Sequence, residues 1–239
     1  MADIDEPAAS AATELQTKPL RLWLVRHGIT QWNIDQRFCG HSDVPLAAQG
    51  RKQARWVAQR LRQEHISTIY TSDLVRGRET AALIALPSAQ KVQIRVSAHW
   101  REMAFGEWEG LTYAQIVEGF PQHLDFFTDP WHCAAPGGES LADLVQRVRA
   151  AFVEIIQADR LGDGDVVLVS HGGPLRVLLC SLLGMSLERQ WQLRLDHGSL
   201  SAVDLLPPTD QAEPMATLVL LNAQGPAQRK RSVQVKAKE

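Results

Sequence analysis

The stretch RLWLVRHG, residues 21–28, joins a short apolar run to a basic pair and a glycine. A run of this length that stops in a loop-forming sequence is typical of a buried strand. A second stretch of the same design, VVLVSHGG at 166–173, is the clearest buried strand in the chain. Each of the two strands therefore delivers a histidine and a glycine to the loop that follows it.

The segments around these two strands alternate between strand and helix patterns. Strands are also predicted at 66–71, 91–97, 199–206 and 216–221, and helices at 49–63, 74–86, 173–183 and from Ser140 onward. Ser140 and Asp143 have the spacing of a capping box, with Asp in the place of Glu. The alternation predicts an α/β fold, a three-layer α/β/α sandwich around a mostly parallel central sheet.

One domain is predicted over residues 20–222, with an aromatic insertion at about 103–139. Among its glycines and prolines the insertion carries Phe105, Trp108, Tyr113, Phe120, Phe126, Phe127 and Trp131. Such a segment can form a substrate lid or a satellite cluster packed on the sheet, and the two roles are compatible. Residues 1–19 are predicted to be a flexible leader and residues 223–239 a basic flexible tail.

The composition excludes several classes of protein. The chain has 239 residues, 45% of them hydrophobic, and a formal net charge of -2, which argues against a nucleic-acid partner. It shows neither a secretory signal nor an apolar stretch long enough for a bilayer, so we expect a cytoplasmic location without a membrane partner. Its three cysteines are widely spaced and form no CxxC pair, which disfavours a disulfide framework or a zinc cluster.

The residues that follow the predicted strands nominate a functional site, because ligands of parallel α/β sheets bind outside the carboxyl ends of the strands. The nominated side chains are those of Arg26, His27, Arg76, Glu102 and His171. Guanidinium groups match phosphate oxygens, and adjacent glycines let a ligand approach the main chain. A structural role would explain each of these residues taken alone. Their joint occurrence after the predicted strands favours a binding site for a phosphate dianion.

These side chains also suit phosphoryl transfer, which needs a nucleophile, charge stabilisation on the equatorial oxygens and a proton donor for the leaving oxygen. His27 can supply the nucleophile if one ring nitrogen is unprotonated, and neighbouring arginines disfavour a second proton on the ring. Arg26, Arg76 and His171 can stabilise the equatorial charge, and Glu102 can act as the general acid.

Four motifs resemble, in order, those of the histidine phosphatase superfamily, in the branch that includes cofactor-dependent phosphoglycerate mutases. They are RHGITQWN (26–33), SDLVR with TA (72–81), E with FGEWEG (102–110) and SHGG (170–173). The stretch RFCGH (37–41) further resembles the substrate loop of that family. The resemblance covers about residues 20–222.

The resemblance implies a phosphohistidine at His27, a proton donor at Glu102, and a phosphate pocket formed by Arg26, Arg76 and His171. The further positions that it implicates in substrate binding are Thr30, Asn33, Cys39, Gly40 and Gly172. The expected partner is a small phosphorylated metabolite, and neither a metal nor another cofactor is expected. A homodimer is left open.

The resemblance favours a phosphatase over a mutase. Residues 103–139 contain neither Lys nor Arg, whereas a mutase needs extra basic residues there to hold a doubly anionic substrate. The stretches PGGESL (136–141) and LRLDHGS (193–199) resemble the α-ribazole phosphatase group of cobalamin synthesis, and an aromatic lid suits a nucleoside-like ester. A broad-specificity sugar-phosphate or phosphoglycerate phosphatase and a cofactor-dependent phosphoglycerate mutase remain as alternatives.

Overall fold

The computed structural model describes residues 19–87, 92–159, 164–205 and 216–225. Its strands are β1 (Leu20–Arg26), β2 (Ile66–Thr71), β3 (Gln93–Val96), β4 (Asp165–Ser170), β5 (Leu200–Leu205) and β6 (Ala216–Ala223). Its α-helices are α1 (Gln31–Ile34), α2 (Ala48–Arg60), α3 (Val75–Ala85), α4 (Tyr113–Gly119), α5 (Leu141–Asp159) and α6 (Gly172–Leu182). Apart from residues 19 and 223–225, the predicted leader and tail lie outside the described residues.

The six strands form one sheet in the order β3-β2-β4-β1-β5-β6. β3, β2, β4 and β1 run parallel to one another. β5 is antiparallel to β1, and β6 is antiparallel to β5. The prediction of a mostly parallel α/β sheet is therefore confirmed.

Alternate residues of β1 face two separate cores. Leu22 and Leu24 pack in a cluster with residues of α5 and α6. Trp23 and Val25 pack in a second cluster with residues of α2 and α3. This is the period of two that a strand buried on both faces requires, and it confirms the three-layer sandwich.

The helices that follow β1 and β4 lie on opposite faces of the sheet. α2 follows β1 on one face, and α6 follows the neighbouring strand β4 on the other. Adjacent strands whose connections leave in opposite directions open a crevice at their carboxyl ends, where α/β proteins bind ligands. The loops after β1 and β4 meet at this point.

The aromatic insertion lies partly in the core and partly beside the crevice. Trp108 is fully buried in the cluster that contains α5, and it stacks on Phe127 with 5.3 Å between ring centroids. Phe126 meets Trp108 edge-on, also at 5.3 Å. The insertion is therefore anchored by its own aromatic packing, with α4 and two short 3-10 turns that the sequence patterns did not predict.

The long helix α5 begins as predicted. The Ser140 main-chain N–H donates to Asp143 Oδ2 at 3.0 Å, and the Asp143 N–H donates to Ser140 Oγ at 3.2 Å. The capping box is therefore present with Asp in the role of Glu. Within the described ranges, no helix is both long and apolar enough to cross a bilayer.

Candidate active site

The histidines that follow β1 and β4 lie side by side in the crevice. The ring centroids of His27 and His171 are 4.8 Å apart, because β1 and β4 pair in parallel with Arg26 opposite Ser170. A third ring, that of His197, lies 5.4 Å from His27. His27 and His171 are buried, and His197 is half-buried.

The hydrogen bond of His27 identifies its free nitrogen. Its Nδ1 lies 2.7 Å from the Gly28 carbonyl oxygen, and a carbonyl only accepts, so Nδ1 carries the proton. Burial, together with His171 and Arg76, lowers the pKa of His27 well below its ordinary value. The ring is therefore neutral at pH 7, and Nε2 keeps the lone pair that a nucleophile needs.

One buried arginine, Arg76, and one half-buried arginine, Arg26, flank these rings. Arg76, fully buried, donates to the carbonyl oxygens of Ser42 at 2.8 Å and Gly40 at 2.5 Å. Arg26 donates to the Leu195 carbonyl oxygen at 2.7 Å, and burial lowers its pKa to about 10. Neither guanidinium has a carboxylate ion-pair partner among the described residues, so both retain charge for an anion.

Unpartnered polar atoms concentrate around His27. In the described ranges, the buried side-chain atoms without a hydrogen bond include Arg26 Nε, Arg76 Nε, His171 Nδ1 and His197 Nε2. The other ring nitrogen of His171 lies 2.9 Å from Ser72 Oγ. An unsatisfied buried polar atom costs about 1–3 kcal/mol, so four of them on neighbours of His27 favour this place as the binding site of a polar ligand.

Glu102 lies at the amino end of α6. Its Oε1 accepts hydrogen bonds from the main-chain N–H groups of Met103 and Gly173, each at 3.0 Å. A side chain at Gly173 would collide with Glu102 Oε1, so the glycine makes this approach possible. The second carboxyl oxygen has only a longer contact of 3.3 Å to the Gly173 N–H.

The main chain that carries Glu102 is held by Arg147 of α5. The Arg147 guanidinium donates to the carbonyl oxygens of His99, Arg101 and Glu102 at 2.7–2.8 Å. It also forms two hydrogen bonds with the Glu139 carboxylate, at 2.8 and 2.9 Å. We call this arrangement the Arg147 clamp. It fixes Glu102 through its main chain and does not contact the carboxyl group.

The loop that carries Cys39 is held by Glu109. The Glu109 carboxylate accepts from the main-chain N–H groups of His41 at 2.7 Å and Ser42 at 2.5 Å. Burial opposes its ionisation, but these hydrogen bonds outweigh burial and lower the pKa of Glu109. Burial raises the pKa of Cys39, so its thiol is neutral. Gly40, the next residue, is buried where a side chain would meet Met103 and Glu109.

Thr30 and Asn33 form the cap of α1. The Thr30 N–H donates to Asn33 Oδ1 at 3.1 Å, and the Asn33 N–H donates to Thr30 Oγ1 at 3.3 Å. Thr30 is fully buried, whereas Asn33 lines a cavity next to Glu102. Gly172 lines the same cavity, and a side chain there would press on Arg26. Thr30 is thus placed to orient Asn33 and does not itself line the cavity.

The cavity has a volume of about 500 Å³ and two unlike walls. The apolar wall includes Met103, Phe105, Phe126, Phe127, Leu141 and Leu144. The polar wall includes Arg26, Arg37, Arg176, Gln190 and His197. Of these, only Arg26 was predicted as a site residue, although Arg37 belongs to the stretch that resembles the substrate loop. Arg37 and Arg176 supply basic groups that the insertion lacks.

His197 was not predicted as a site residue because the sequence does not show the direction of β5. Since β5 is antiparallel to β1, its amino end meets the carboxyl end of β1, and residues that precede it enter the crevice. The N–H of Gly198 lies 3.0 Å from the carbonyl oxygens of both Arg26 and His27, which brings His197 beside His27. The positive φ of Gly198, 66°, makes this turn suited to glycine. Conversely, Arg101 pairs with Asp73 at 2.5 and 2.7 Å and adds no charge to the cavity.

Fold and site together define an α/β protein with a cationic crevice and a histidine nitrogen without a proton beside it. Comparison with known proteins gives the family. The model of the histidine phosphatase superfamily, branch 1, matches residues 22–213. The chain belongs to this superfamily, which confirms the family predicted from the motifs and, with it, the class of phosphatase enzyme.

Individual relatives carry several different names. The adenosylcobalamin/alpha-ribazole phosphatase of Escherichia coli K12 is 31% identical over 85% of this chain and 96% of its own length. A probable phosphoglycerate mutase, GpmB, of Yersinia enterocolitica is 37% identical over 77% of this chain and 85% of its own. The solved structure of a mycobacterial glucosyl-3-phosphoglycerate phosphatase with VO3 superposes with a TM-score of 0.75 at 30% identity, covering 86% of this chain and all (100%) of that one.

Proposed function

We propose that this protein hydrolyses the phosphomonoester of a small metabolite through a phosphohistidine at His27. The observation that carries the proposal is the unprotonated Nε2 of His27 among four buried polar atoms without partners. Arg26, Arg76 and His171 would receive the three equatorial oxygens of the phosphoryl group. A free nucleophile inside a preformed anion site is the arrangement that in-line transfer requires.

The proposed reaction has two steps. In the first, His27 Nε2 attacks phosphorus, the ester P–O bond breaks, and the leaving alkoxide takes the proton of Glu102. In the second, water attacks the phosphohistidine, the P–N bond breaks, and the proton of water passes to the Glu102 carboxylate. The electron pair of the P–N bond returns to His27 Nε2, and both residues regain their starting states.

For the substrate, we infer a nucleoside-like monoester such as α-ribazole 5′-phosphate. The apolar wall of Phe105, Phe126 and Phe127 supports a leaving group with a flat apolar part, and an α-ribazole phosphatase is among the relatives. A broad-specificity sugar-phosphate or phosphoglycerate phosphatase is the nearest alternative. Arg37 and Arg176 favour the second candidate function, a cofactor-dependent phosphoglycerate mutase, because they could hold a second anionic group.

The test is phosphate release from α-ribazole 5′-phosphate, 3-phosphoglycerate, sugar phosphates and an aryl phosphate, in the presence of EDTA. We expect turnover that persists in EDTA, with an acid-labile phosphoenzyme that is absent from the His27→Ala variant. The ranking of esters selects the substrate class. If no ester releases phosphate but 3-phosphoglycerate is isomerised when a bisphosphate is added, the protein is a mutase and the hydrolase proposal is wrong.

A further inference from the structure

A second hollow adjoins the cavity that Glu102 and His197 line. It has a volume of about 770 Å³. The residues that line both spaces are Phe127, Pro130, Leu141, Gln190 and Trp191. Because these five residues line both spaces, the hollow adjoins the cavity.

Two exposed tryptophans line this hollow. Trp131, from the aromatic insertion, is 41% exposed, and Trp191, from the segment between α6 and β5, is 72% exposed. Tryptophan is among the largest apolar side chains and is usually well buried. Two of them left open beside a catalytic cavity indicate a surface that a ligand covers.

Trp191 is held at the border between the two spaces. The Arg176 guanidinium lies 4.9 Å from the centroid of the Trp191 ring, a cation–π contact. Arg176 is itself fixed by a hydrogen bond of 3.1 Å from its Nε to the Leu193 carbonyl oxygen. The indole is therefore partly oriented before any ligand arrives, which reduces the entropy lost on stacking.

The charges of the hollow exclude an anionic occupant. The described residues that line it include Asp129 and Glu188 and no Lys or Arg. Asp129 is engaged with the neighbouring His132 at 3.0 Å, whereas Arg37 and Arg176 line the inner cavity. A second phosphate or carboxylate would thus be held in the inner cavity and not in the hollow.

We propose that the hollow between Trp131 and Trp191 binds a flat, uncharged heteroaromatic ring at the far end of the leaving group. The phosphate would lie beside His27, a sugar would occupy the cavity, and the ring would contact the two indoles. The proposal rests on the proposed function for the phosphate end and adds the residues that select the substrate. Stacking of a base on an aromatic side chain is sequence-tolerant, so purine and benzimidazole rings both qualify.

The experiment compares ribose 5-phosphates that carry no ring, a purine ring or a benzimidazole ring at C1. Values of kcat/KM are measured for ribose 5-phosphate, AMP and α-ribazole 5′-phosphate with the native protein, Trp131→Ala and Trp191→Ala. Trp56→Ala, which packs on the opposite face of the sheet, is the matched control. We expect each cavity-side variant to lose about 5-fold to 100-fold on the ring-bearing esters, mainly in KM, and less than about 2-fold on ribose 5-phosphate.

If Trp131→Ala and Trp191→Ala lose as much kcat/KM on ribose 5-phosphate as on the ring-bearing esters, the ring site is wrong. The proposed phosphatase activity would still stand. Equal native kcat/KM values for all three esters would overturn the ring site as well. If no ester is hydrolysed, the proposed function is wrong, but the ring site can still be tested by binding. The affinities of His27→Ala for AMP and for ribose 5-phosphate are then measured by calorimetry. Tighter binding of AMP that Trp131→Ala abolishes would support the ring site, and equal affinities would refute it.

Discussion

The two ends of the proposed active site are built on different principles. At the phosphate end, His27, Arg76 and His171 are buried and follow strands of one sheet. At the leaving-group end, the lining residues include parts of the aromatic insertion and of residues 186–191, and Trp131 and Trp191 remain exposed. The sheet thus determines where the chemistry takes place, while irregular segments determine what else can bind.

The energetic consequence also differs between the ends. At the phosphate end, buried polar atoms without partners carry a desolvation cost, which hydrogen bonds to an anion would offset. At the leaving-group end, exposed aromatic rings lose little when the site is empty. We therefore expect substitutions at the phosphate end to abolish activity, and substitutions at the other end to change the preference among substrates.

The largest effect should follow replacement of His27 by Ala. The variant keeps the arginines but lacks the nucleophilic nitrogen, so kcat should fall by about 10⁴-fold or more for every ester. Phosphate release and phosphoenzyme trapping measure this loss. His99→Ala, at an exposed histidine, is the control and should retain activity. If kcat of the His27→Ala variant stays within about 10-fold of the native value, His27 is not the nucleophile.

A smaller effect should follow replacement of Arg147 by Met, which removes the Arg147 clamp at the junction of the two ends. If the clamp positions Glu102 for proton transfer, esters with poor leaving groups depend on it most. We expect kcat to fall by about 10²-fold for alkyl phosphates and by less than about 10-fold for an aryl phosphate, whose leaving oxygen needs little protonation. Steady-state kinetics on both ester types measures the difference.

Arg149→Met is the matched control for the clamp, because Arg149 lies two residues further along α5 and is exposed. Glu102→Gln should show the same dependence on the leaving group as Arg147→Met. Equal losses on alkyl and aryl esters would instead assign Arg147 a purely structural role. Far-UV circular dichroism and the melting temperature of each variant separate misfolding from mispositioning.

The phosphate end was largely predictable from the sequence. In a parallel sheet the carboxyl ends of strands share an edge, so the residues after β1 and β4 had to meet once the strands were recognised. Arg76 followed from the same reasoning, one helical turn after β2. His197 did not, because apolar periodicity shows that β5 is a strand and gives no sign of its antiparallel direction.

The leaving-group end was predictable in composition but not in arrangement. The insertion was recognised as aromatic, and the choice between lid and packing cluster stayed open. The structure shows that Trp108 is core, whereas Phe127 touches both the core ring of Trp108 and the cavity. Irregular segments have no regular spacing of apolar residues, so the sequence does not distinguish a ring in the core from a ring that lines the cavity. Likewise Arg176 faces the cavity from α6, a helix that the sequence presents as a buried apolar element.

A third prediction concerns the stability cost of the histidine cluster. Burial lowers the pKa of His27, His171 and His197 in the folded protein, whereas an unfolded histidine titrates near about 6.5. Below that pH the unfolded chain binds more protons, so the free energy of unfolding should decrease as pH falls. The slope is about 1.4 kcal/mol per pH unit for each histidine, until the folded-state pKa is reached.

Urea unfolding between pH 7.5 and pH 5 measures this slope, and His197→Gln should reduce it by about one third. His99→Gln, which removes an exposed histidine, is the matched variant. A free energy of unfolding that stays constant from pH 7.5 to pH 5 would show that the three rings bind protons as readily in the folded protein as in the unfolded chain. In that case the fold would not keep the His27 ring neutral below about pH 6.5.

The smallest effect is expected at Cys39, which lies in the loop between the two ends. Its side chain lines the cavity, and its carbonyl oxygen accepts a long hydrogen bond of 3.4 Å from Arg76. Serine preserves the main chain, and the raised pKa means that no thiolate is lost. Cys39→Ser should therefore keep kcat/KM within about 2-fold of the native value for both alkyl and aryl esters. A loss confined to ring-bearing esters would extend the leaving-group end to this loop, whereas a loss on every ester would place Cys39 with the phosphate end.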